Sequence, residues 1–316
     1  MSYKPKYKFS AEIESKLEEF KSFMASNGLE ENTVRQHGNY TGIFLEWISK
    51  ETTEIKEAIY KDIIAFIQSL QSENHNSRFI NRVVLAVRHY YHYLGVPKNP
   101  AAGIFIRGAT SKVPVDIVAY PEIIKLYEQY QGLDNRTKRN KVMLGLMVYQ
   151  AATTRELHHL EPHHIKLKEA KIYIPGTNRS LARVLPIKAN QLLELSHYLE
   201  EIRPQLQRDI YQLRSGRIME KVDQEAIDNQ LFFSERGNGN IKSSLCHMFR
   251  QIKKMNPKIT SGKVIRQSVI TEWTKTIGIR QVQYMAGYRC VGSVERYKHY
   301  NLEELTEELN EFHPLR

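Results

Sequence analysis

The sequence has little cysteine and no long apolar run. Two cysteines, Cys246 and Cys290, occur among 316 residues, too few for a disulfide framework or for a four-cysteine zinc site. No stretch approaches the roughly 18 consecutive apolar residues that a membrane-spanning helix needs. Residues 1–14 also lack the apolar core of a secretion signal. We therefore predict a cytoplasmic protein with reduced thiols and no membrane partner.

Acidic residues are in the minority. Lysine and arginine number 46 against 35 aspartates and glutamates, which gives a net charge of +11 and a pI near 9.4. Such an excess favours a polyanionic partner, and nucleic acid is the first choice. An anionic membrane surface is the second, although no basic amphipathic helix of the surface-lying kind stands out. A basic soluble protein without such a partner is also compatible with the charge.

Signatures of ATP and metal chemistry are missing as well. There is no G-x-x-x-x-G-K-[ST] phosphate cradle, and the acidic residues are scattered rather than paired as a two-metal nuclease requires. The segment HHLEPHH brings four histidines close together, His158, His159, His163 and His164. No cysteine or second carboxylate completes a ligand set there, so a polar loop, solvated or facing DNA, is the simpler interpretation. We expect no metal and no cofactor.

The chain is long enough for two domains. Residues 10–95 carry four helical patterns, and Ser10 and Gly28 are placed to begin and end the first of them. The segment GVPKNPAAG follows, and its two prolines and two glycines make it the best linker candidate. We predict a helical domain over residues 1–105 and a second domain over residues 106–316.

The second part mixes helices with one hairpin. In AKIYIPGTNRSLARVLPI, apolar residues on either side of a polar turn predict two short antiparallel strands. An acidic amphipathic helix is expected from residue 301 onward. Helical patterns lie near residues 120–131, 136–151, 188–201, 203–214, 241–254, 262–276, 279–286 and 291–299, with a short helix at TRELHHL. The predicted fold is mainly α with a small β-hairpin or sheet.

Three short segments, in order, carry a family resemblance. TTRELHHL, KVIRQSVITEW and YMAGYRCVGSVERY resemble the first-arginine box, the His-x-x-Arg box and the Gly-His…Tyr box of the tyrosine recombinases, or phage-type integrases. The N-terminal half, through to NPA at residues 99–101, resembles the DNA-clamping domain of that family. The wording of QYMAG and TT-x-EL looks most like a divergent branch from mobile elements of Bacteroidetes-type bacteria.

The resemblance implies both a reaction and partners. The N-terminal domain would be the core-binding domain and the second domain the catalytic one. Such enzymes cut and rejoin double-stranded DNA through a 3′-phosphotyrosyl intermediate, without metal or ATP. Protomers are expected to assemble on DNA as dimers or tetramers. The resemblance also suggests DNA contacts in the first domain from Arg78, Arg82 and Arg88, which lie off the apolar stripe of the fourth helix.

The family boxes assign roles to several residues. Tyr297 stands at the nucleophile position, nine residues after Tyr288, which replaces the usual histidine. Arg266 stands at the second-arginine position, where a planar guanidinium can bind two phosphate oxygens. Lys263 replaces the histidine of the second box and could protonate the leaving oxygen.

Two positions depart from the family pattern. Thr153 stands where the first arginine is expected, and Arg155 is the nearest arginine, two residues later. The hairpin lysine is replaced by Arg179, with Arg183 beyond it. Losing one transition-state donor costs about 10²–10³ in rate. One alternative is therefore a catalytically weakened, DNA-binding accessory protein of this fold. Another alternative is a helical scaffold whose charge is incidental.

Overall fold

The computed structural model describes residues 8–51, 54–108, 117–214, 223–235, 237 and 239–298. The chain forms two compact units, Met1–Thr110 and Ser111–Arg316. The acidic helix predicted from residue 301, and Tyr300, lie outside the described residues. Within the described part of the chain, no helix is long and apolar enough to cross a membrane.

The described residues of the first unit form four helices. The hydroxyl of Ser10 accepts a hydrogen bond from the Ile13 amide at the start of the first helix, as the sequence predicts. Aromatic side chains meet aliphatic ones in its core, where the ring centroid of Phe44 lies 5.1 Å from that of Phe66 and 5.9 Å from that of Tyr91. The helices are α1 (Ala11–Ser26), α2 (Glu31–Ile48), α3 (Tyr60–Ser72) and α4 (Ser77–Tyr93).

The three arginines predicted to contact DNA from α4 differ in their surroundings. Arg88 is half-buried and donates hydrogen bonds to the carbonyls of Ala101 and Ile104, at 3.1 and 3.0 Å. Its guanidinium thus holds the segment after α4 against the helix. Arg78 and Arg82 are exposed, and their contact with DNA stays a prediction.

The second unit surrounds α6, which is buried along most of its length. Its apolar run Val142–Val148 is almost wholly inaccessible, and it packs against α5, α8, α11 and α12. The helices of this unit are α5 (Tyr120–Gln129), α6 (Asn135–Gln150), α7 (Thr154–His158), α8 (Ala189–His197), α9 (Arg203–Arg214), α10 (Gln224–Asn229), α11 (Lys242–Met255), α12 (Gly262–Thr276), α13 (Ile279–Ala286) and α14 (residues 292–298). This packing leaves the C-terminal end of α6 beside α12 and α13.

A three-stranded antiparallel sheet confirms the predicted hairpin. Its strands are β1 (Ile165–Lys166), β2 (Lys171–Ile174) and β3 (Arg183–Pro186), in the order β1-β2-β3. Ile172 pairs with Ile165 on one side and with Leu185 on the other, and all three side chains are buried. The sequence did not predict β1, because two residues are too short for an alternating pattern.

Two features of residues 188–229 differ from the sequence-based prediction. The sequence predicted a break near residue 202, but the helix continues there through a π-helical turn, Tyr198–Ile202. The turn lies just before Pro204, and because proline has no N–H, one α-helical hydrogen bond is lost at that position. Helix α10 was not predicted. It is only six residues long, and the guanidinium of Arg203 holds its last carbonyls, including those of Ile227 and Asp228.

Candidate active site

The turn after α6 forms the first wall of the site. Ala151 adopts a left-handed conformation, with φ of 49°, and ends α6. Thr153 then begins α7 with a reciprocal cap: its hydroxyl accepts from the Glu156 amide at 3.1 Å, and the Glu156 carboxylate accepts from the Thr153 amide at 2.8 Å. This cap draws the carboxylate of Glu156 into the interior.

Arg266 projects from α12 into the centre of the site. One Nη donates a hydrogen bond to the Ala151 carbonyl, and the other donates to the Ala286 carbonyl at 2.6 Å. The guanidinium also lies 5.0 Å from the centroid of the Tyr288 ring. Because these carbonyls end α6 and α13, a cation is favoured between them by both helix dipoles. Arg266 therefore sits where three helices meet.

Tyr288 and Tyr297 are hydrogen-bonded to each other through their hydroxyls. Their hydroxyl oxygens are 3.1 Å apart, and Tyr297, on α14, is only 2% exposed. Burial raises the pKa of Tyr297, and the neighbouring Tyr288 raises it further, while Arg296 and Arg266 lower it less. The Tyr297 hydroxyl is consequently protonated and covered in this arrangement.

A second arginine, Arg183, to which the sequence assigned no role, lies beside Glu156. Arg183 donates through both Nη atoms to the Glu156 carboxylate, at 2.5 and 3.2 Å, and both side chains are fully buried. Burial acts to raise the pKa of Glu156, but Arg183, the Thr153 amide and Arg266 outweigh it and hold that pKa at about 2. A signal was present, because Arg183 shares the inward face of β3 with Leu185.

The remaining predicted residues lie around this cluster. Lys263 is exposed on α12, one turn before Arg266 and on the same side of the helix. Arg155 is half-buried in α7, and Arg179 is exposed in the hairpin turn. The structure thus brings Arg266, Tyr288 and Tyr297 together. The catalytic roles of all six residues stay predictions.

One histidine of the HHLEPHH segment stabilises the turn of that same segment. His164 is buried, and its Nδ1 accepts a hydrogen bond from the Glu161 amide at 3.0 Å. His159 and His163 are exposed. Among the described residues, no group of three or more histidine, cysteine, aspartate or glutamate side chains is placed to hold a metal ion.

Gly287 joins the hairpin to the site. Its φ is +67°, and its carbonyl accepts a hydrogen bond from the Leu181 amide at 2.9 Å. A Cβ at this position would lie 2.6 Å from an Nη of Arg183 and 3.0 Å from the Leu181 carbonyl oxygen. The residue before Tyr288 therefore has to be glycine for reasons of both backbone conformation and space.

Gly287→Ala is expected to lower the free energy of unfolding by about 2 kcal/mol, because it adds a left-handed backbone penalty and a clash with Arg183. Thermal or denaturant unfolding measures the change. Gly278→Ala, at the other end of α13, meets no atom within 4 Å and is the matched control. Equal destabilisation by both variants would contradict the close packing described here.

The comparisons with known proteins agree on one family. No family model matches the chain. The tyrosine recombinase XerD of Listeria monocytogenes is 22% identical over 310 residues, covering 94% of this chain and 98% of the relative. The tyrosine recombinase XerA of Pyrococcus horikoshii is also 22% identical, covering 92% of this chain and 91% of the relative. These similarities therefore extend over both units of the chain.

Solved structures show the same fold. XerH site-specific recombinase, in a post-cleavage complex with a palindromic difH substrate, has a TM-score of 0.64 at 15% identity, covering 87% of this chain and 78% of that one. The Tn1549 transposon integrase, in complex with transposon right end DNA, has a TM-score of 0.60 at 14% identity, covering 94% and 99%. With the ordered boxes and the Arg266–Tyr288–Tyr297 cluster, these likenesses lead to one conclusion: the chain has the fold of the tyrosine recombinases and resembles them over nearly its whole length.

Proposed function

We propose that this protein is a site-specific DNA recombinase or integrase that cuts and rejoins double-stranded DNA through a 3′-phosphotyrosyl intermediate, without metal or ATP. The observation that carries the proposal is the convergence of Arg266 and Tyr297 on the Tyr288 ring. The Tyr297 hydroxyl lies 3.1 Å from the Tyr288 hydroxyl, and the Arg266 guanidinium lies 5.0 Å from the centroid of the same ring. The proposed nucleophile and a cation that can bind phosphate therefore contact the same tyrosine. Residues 1–105 would clamp the DNA, and residues 106–316 would carry the chemistry.

The reaction assigns a task to each residue. The Tyr297 oxygen attacks phosphorus and gives its proton to water, and the bond from phosphorus to the 5′ oxygen breaks. The 3′ end remains on Tyr297, and the 5′ oxygen takes a proton, for which Lys263 is the proposed donor. Arg266 stabilises the extra charge on the phosphate oxygens. A 5′-hydroxyl from another duplex then reverses the step and restores a phosphodiester bond.

The described arrangement has to open before this attack. Tyr297 is buried, and the Nη atoms of Arg266 donate to the Ala151 and Ala286 carbonyls. A phosphate cannot touch either group until these contacts loosen. We propose that binding of DNA supplies the free energy for this change, because the incoming phosphate is a stronger acceptor for Arg266 than a neutral carbonyl.

Basic surfaces suggest where the DNA lies. Helix α11 contains no acidic residue, and its exposed positions include Lys242, Arg250 and Lys253. Arg78 and Arg82 offer further exposed charges on α4 of the first unit. These cations can neutralise backbone phosphates without reading sequence. DNA affinity is therefore expected to fall steeply with salt, which the hypothesis of a scaffold with incidental charge does not predict.

Assembly and location follow from the same proposal. A related λ integrase fragment, with a TM-score of 0.57 and 14% identity, was solved as a dimer bound to a core DNA site. We propose that protomers of this chain likewise pair on DNA, as dimers or tetramers. The protein would act in the cytoplasm, which suits its two exposed free cysteines, Cys246 and Cys290.

A pool of nicked duplexes with randomised sequence tests the function. The nick lets the cleaved fragment diffuse away, so a covalent intermediate is trapped. We expect denaturation-resistant protein–DNA adducts, enriched in one sequence on sequencing. Salt-sensitive DNA binding without any adduct would instead support the accessory protein suggested by Thr153 and Arg179. Absence of DNA binding would contradict both proposals.

A further inference from the structure

The carboxylate of Glu156 lies between two guanidinium groups inside the second unit. Arg183 binds it through two hydrogen bonds, at 2.5 and 3.2 Å. Arg266 stands farther off, with one Nη 4.0 Å from the nearer carboxylate oxygen. Glu156 and Arg183 have side chains that are completely inaccessible, whereas that of Arg266 is 11% exposed. Arg183 is therefore hydrogen-bonded to the Glu156 carboxylate, whereas Arg266 only lies close to it.

The geometry keeps Arg266 from a direct hydrogen bond to Glu156, so their pairing stays long, at 4.0 Å. A bidentate pairing between planar groups is the strongest arrangement that a carboxylate and an arginine can make. Because Arg183 already occupies both oxygens of Glu156, the Nη atoms of Arg266 are directed at the neutral carbonyls of Ala151 and Ala286. Those bonds are weaker than an ion pair, so a phosphate can replace them.

The sequence makes Arg183 necessary for this balance. The residue that caps α7 and bonds to Glu156 is Thr153, which carries no charge. If Arg183 were absent, Arg266 would be the nearest cation to a buried, unpaired carboxylate, and such a charge strongly attracts a partner. The cluster of Glu156, Arg183 and Arg266 has a net charge of +1. Without Arg183 that charge would be zero.

We propose that Arg183 is a positioning residue for phosphoryl transfer: it neutralises Glu156 so that Arg266 stays available to the DNA phosphate. The inference rests on the proposed function. Arg183 is only 2% exposed, so it acts through Glu156 and Arg266 rather than by touching the phosphate. Gly287 leaves the space that Arg183 needs, because a Cβ on Gly287 would lie 2.6 Å from an Nη of Arg183.

A pair of variants separates positioning from folding. Arg183→Met leaves Glu156 unpaired and is expected to reduce the single-turnover rate of adduct formation about 10²-fold. Adding Glu156→Gln removes the carboxylate, restores the net charge of +1 and still caps α7. The double variant is expected to return to within about tenfold of the wild-type rate. The single-turnover rate of adduct formation is measured at saturating nicked duplex that carries the sequence recovered from the pool. Each rate is divided by the fraction of the protein that is folded.

Arg139→Met is the matched control. Arg139 is as buried as Arg183 and lies near Glu235, but its bonds go to Phe233 and Asn140. It is twelve residues before Ala151 and therefore about 18 Å away along α6. This variant is expected to lose stability while its folded fraction keeps the wild-type rate. Equal rate losses in Arg139→Met and Arg183→Met would reduce Arg183 to a structural role and overturn the proposal.

Crystal structures of the variants give a result that does not depend on activity. In Arg183→Met the separation of Arg266 from Glu156, now 4.0 Å, is expected to shorten to direct hydrogen-bonding distance. In the double variant it is expected to stay open. An unchanged position of Arg266 in Arg183→Met would overturn the inference even if the wild type forms adducts. Failure of the wild type to form adducts would instead count against the proposed function alone.

Discussion

Tyr297→Phe is expected to abolish covalent attachment to DNA while leaving DNA affinity unchanged. The substitution removes the single oxygen that forms the phosphotyrosyl bond, so the rate of adduct formation should fall by about 10⁵-fold or more. The lost hydrogen bond to Tyr288 costs only about 1 kcal/mol of stability, and the ring still fills its buried position. Gel analysis of denatured complexes measures the adduct, and a binding titration measures the affinity.

Two neighbouring tyrosines provide controls for that experiment. Tyr288→Phe removes the hydroxyl that contacts Tyr297 but keeps the ring beneath Arg266, so adducts should still form, at a reduced rate. Tyr300→Phe makes the same chemical change three residues beyond Tyr297, and normal adduct formation is expected. Adducts that persist in Tyr297→Phe but vanish in Tyr300→Phe would move the nucleophile to Tyr300.

Arg266→Lys is expected to produce the next largest loss, about 10²–10³ in the rate of adduct formation at saturating DNA. Lysine keeps the charge but not the planar fork, so it cannot contact two phosphate oxygens at once. It also cannot bridge the carbonyls of Ala151 and Ala286, which are held by different Nη atoms. DNA affinity, which depends on many phosphate contacts, should change far less than the rate.

Arg280→Lys is the matched control for this substitution. Arg280 is exposed on α13 and bonds to Gln283, so its replacement should leave the rate of adduct formation near the wild-type value. A wild-type rate in Arg266→Lys would mean that another group binds the phosphate. A large fall in both variants would point to a general sensitivity to arginine replacement.

Tyr297 and Arg266 were predicted as site residues because they stand in ordered segments that resemble the family boxes. Tyr297 follows Tyr288 by nine residues, and Arg266 stands in a box of its own. The structure turns the chain at Gly287, whose φ is +67°, and then forms α14. That path brings the two hydroxyls to 3.1 Å. The family boxes indicated Tyr288 and Tyr297 as site residues, whereas the contact between their hydroxyls was not predicted.

The role of Arg183, the arginine that binds Glu156, was not predicted. The sequence suggested Arg155 because it is the nearest arginine to Thr153, two residues later. Residues two positions apart on a helix point about 200° apart, however, so nearness along α7 does not give Arg155 the direction of Thr153. The partner of Glu156 is Arg183, 27 residues away on β3. Its place depends on the register of the hairpin and on which face of β3 is buried.

The sequence by itself determined the helices with clear apolar periods and the hairpin, because each depends on residues a few positions apart. It also pointed to Tyr297 and Arg266, through the resemblance of ordered segments to the family boxes. Only the tertiary structure decided which cation neutralises Glu156 and that Tyr297 is covered. It also decided that α10 is held by Arg203. Ion pairs and burial join residues that are distant in the chain. Their energies depend on excluded water and on exact distances, which leave no periodic trace in the sequence.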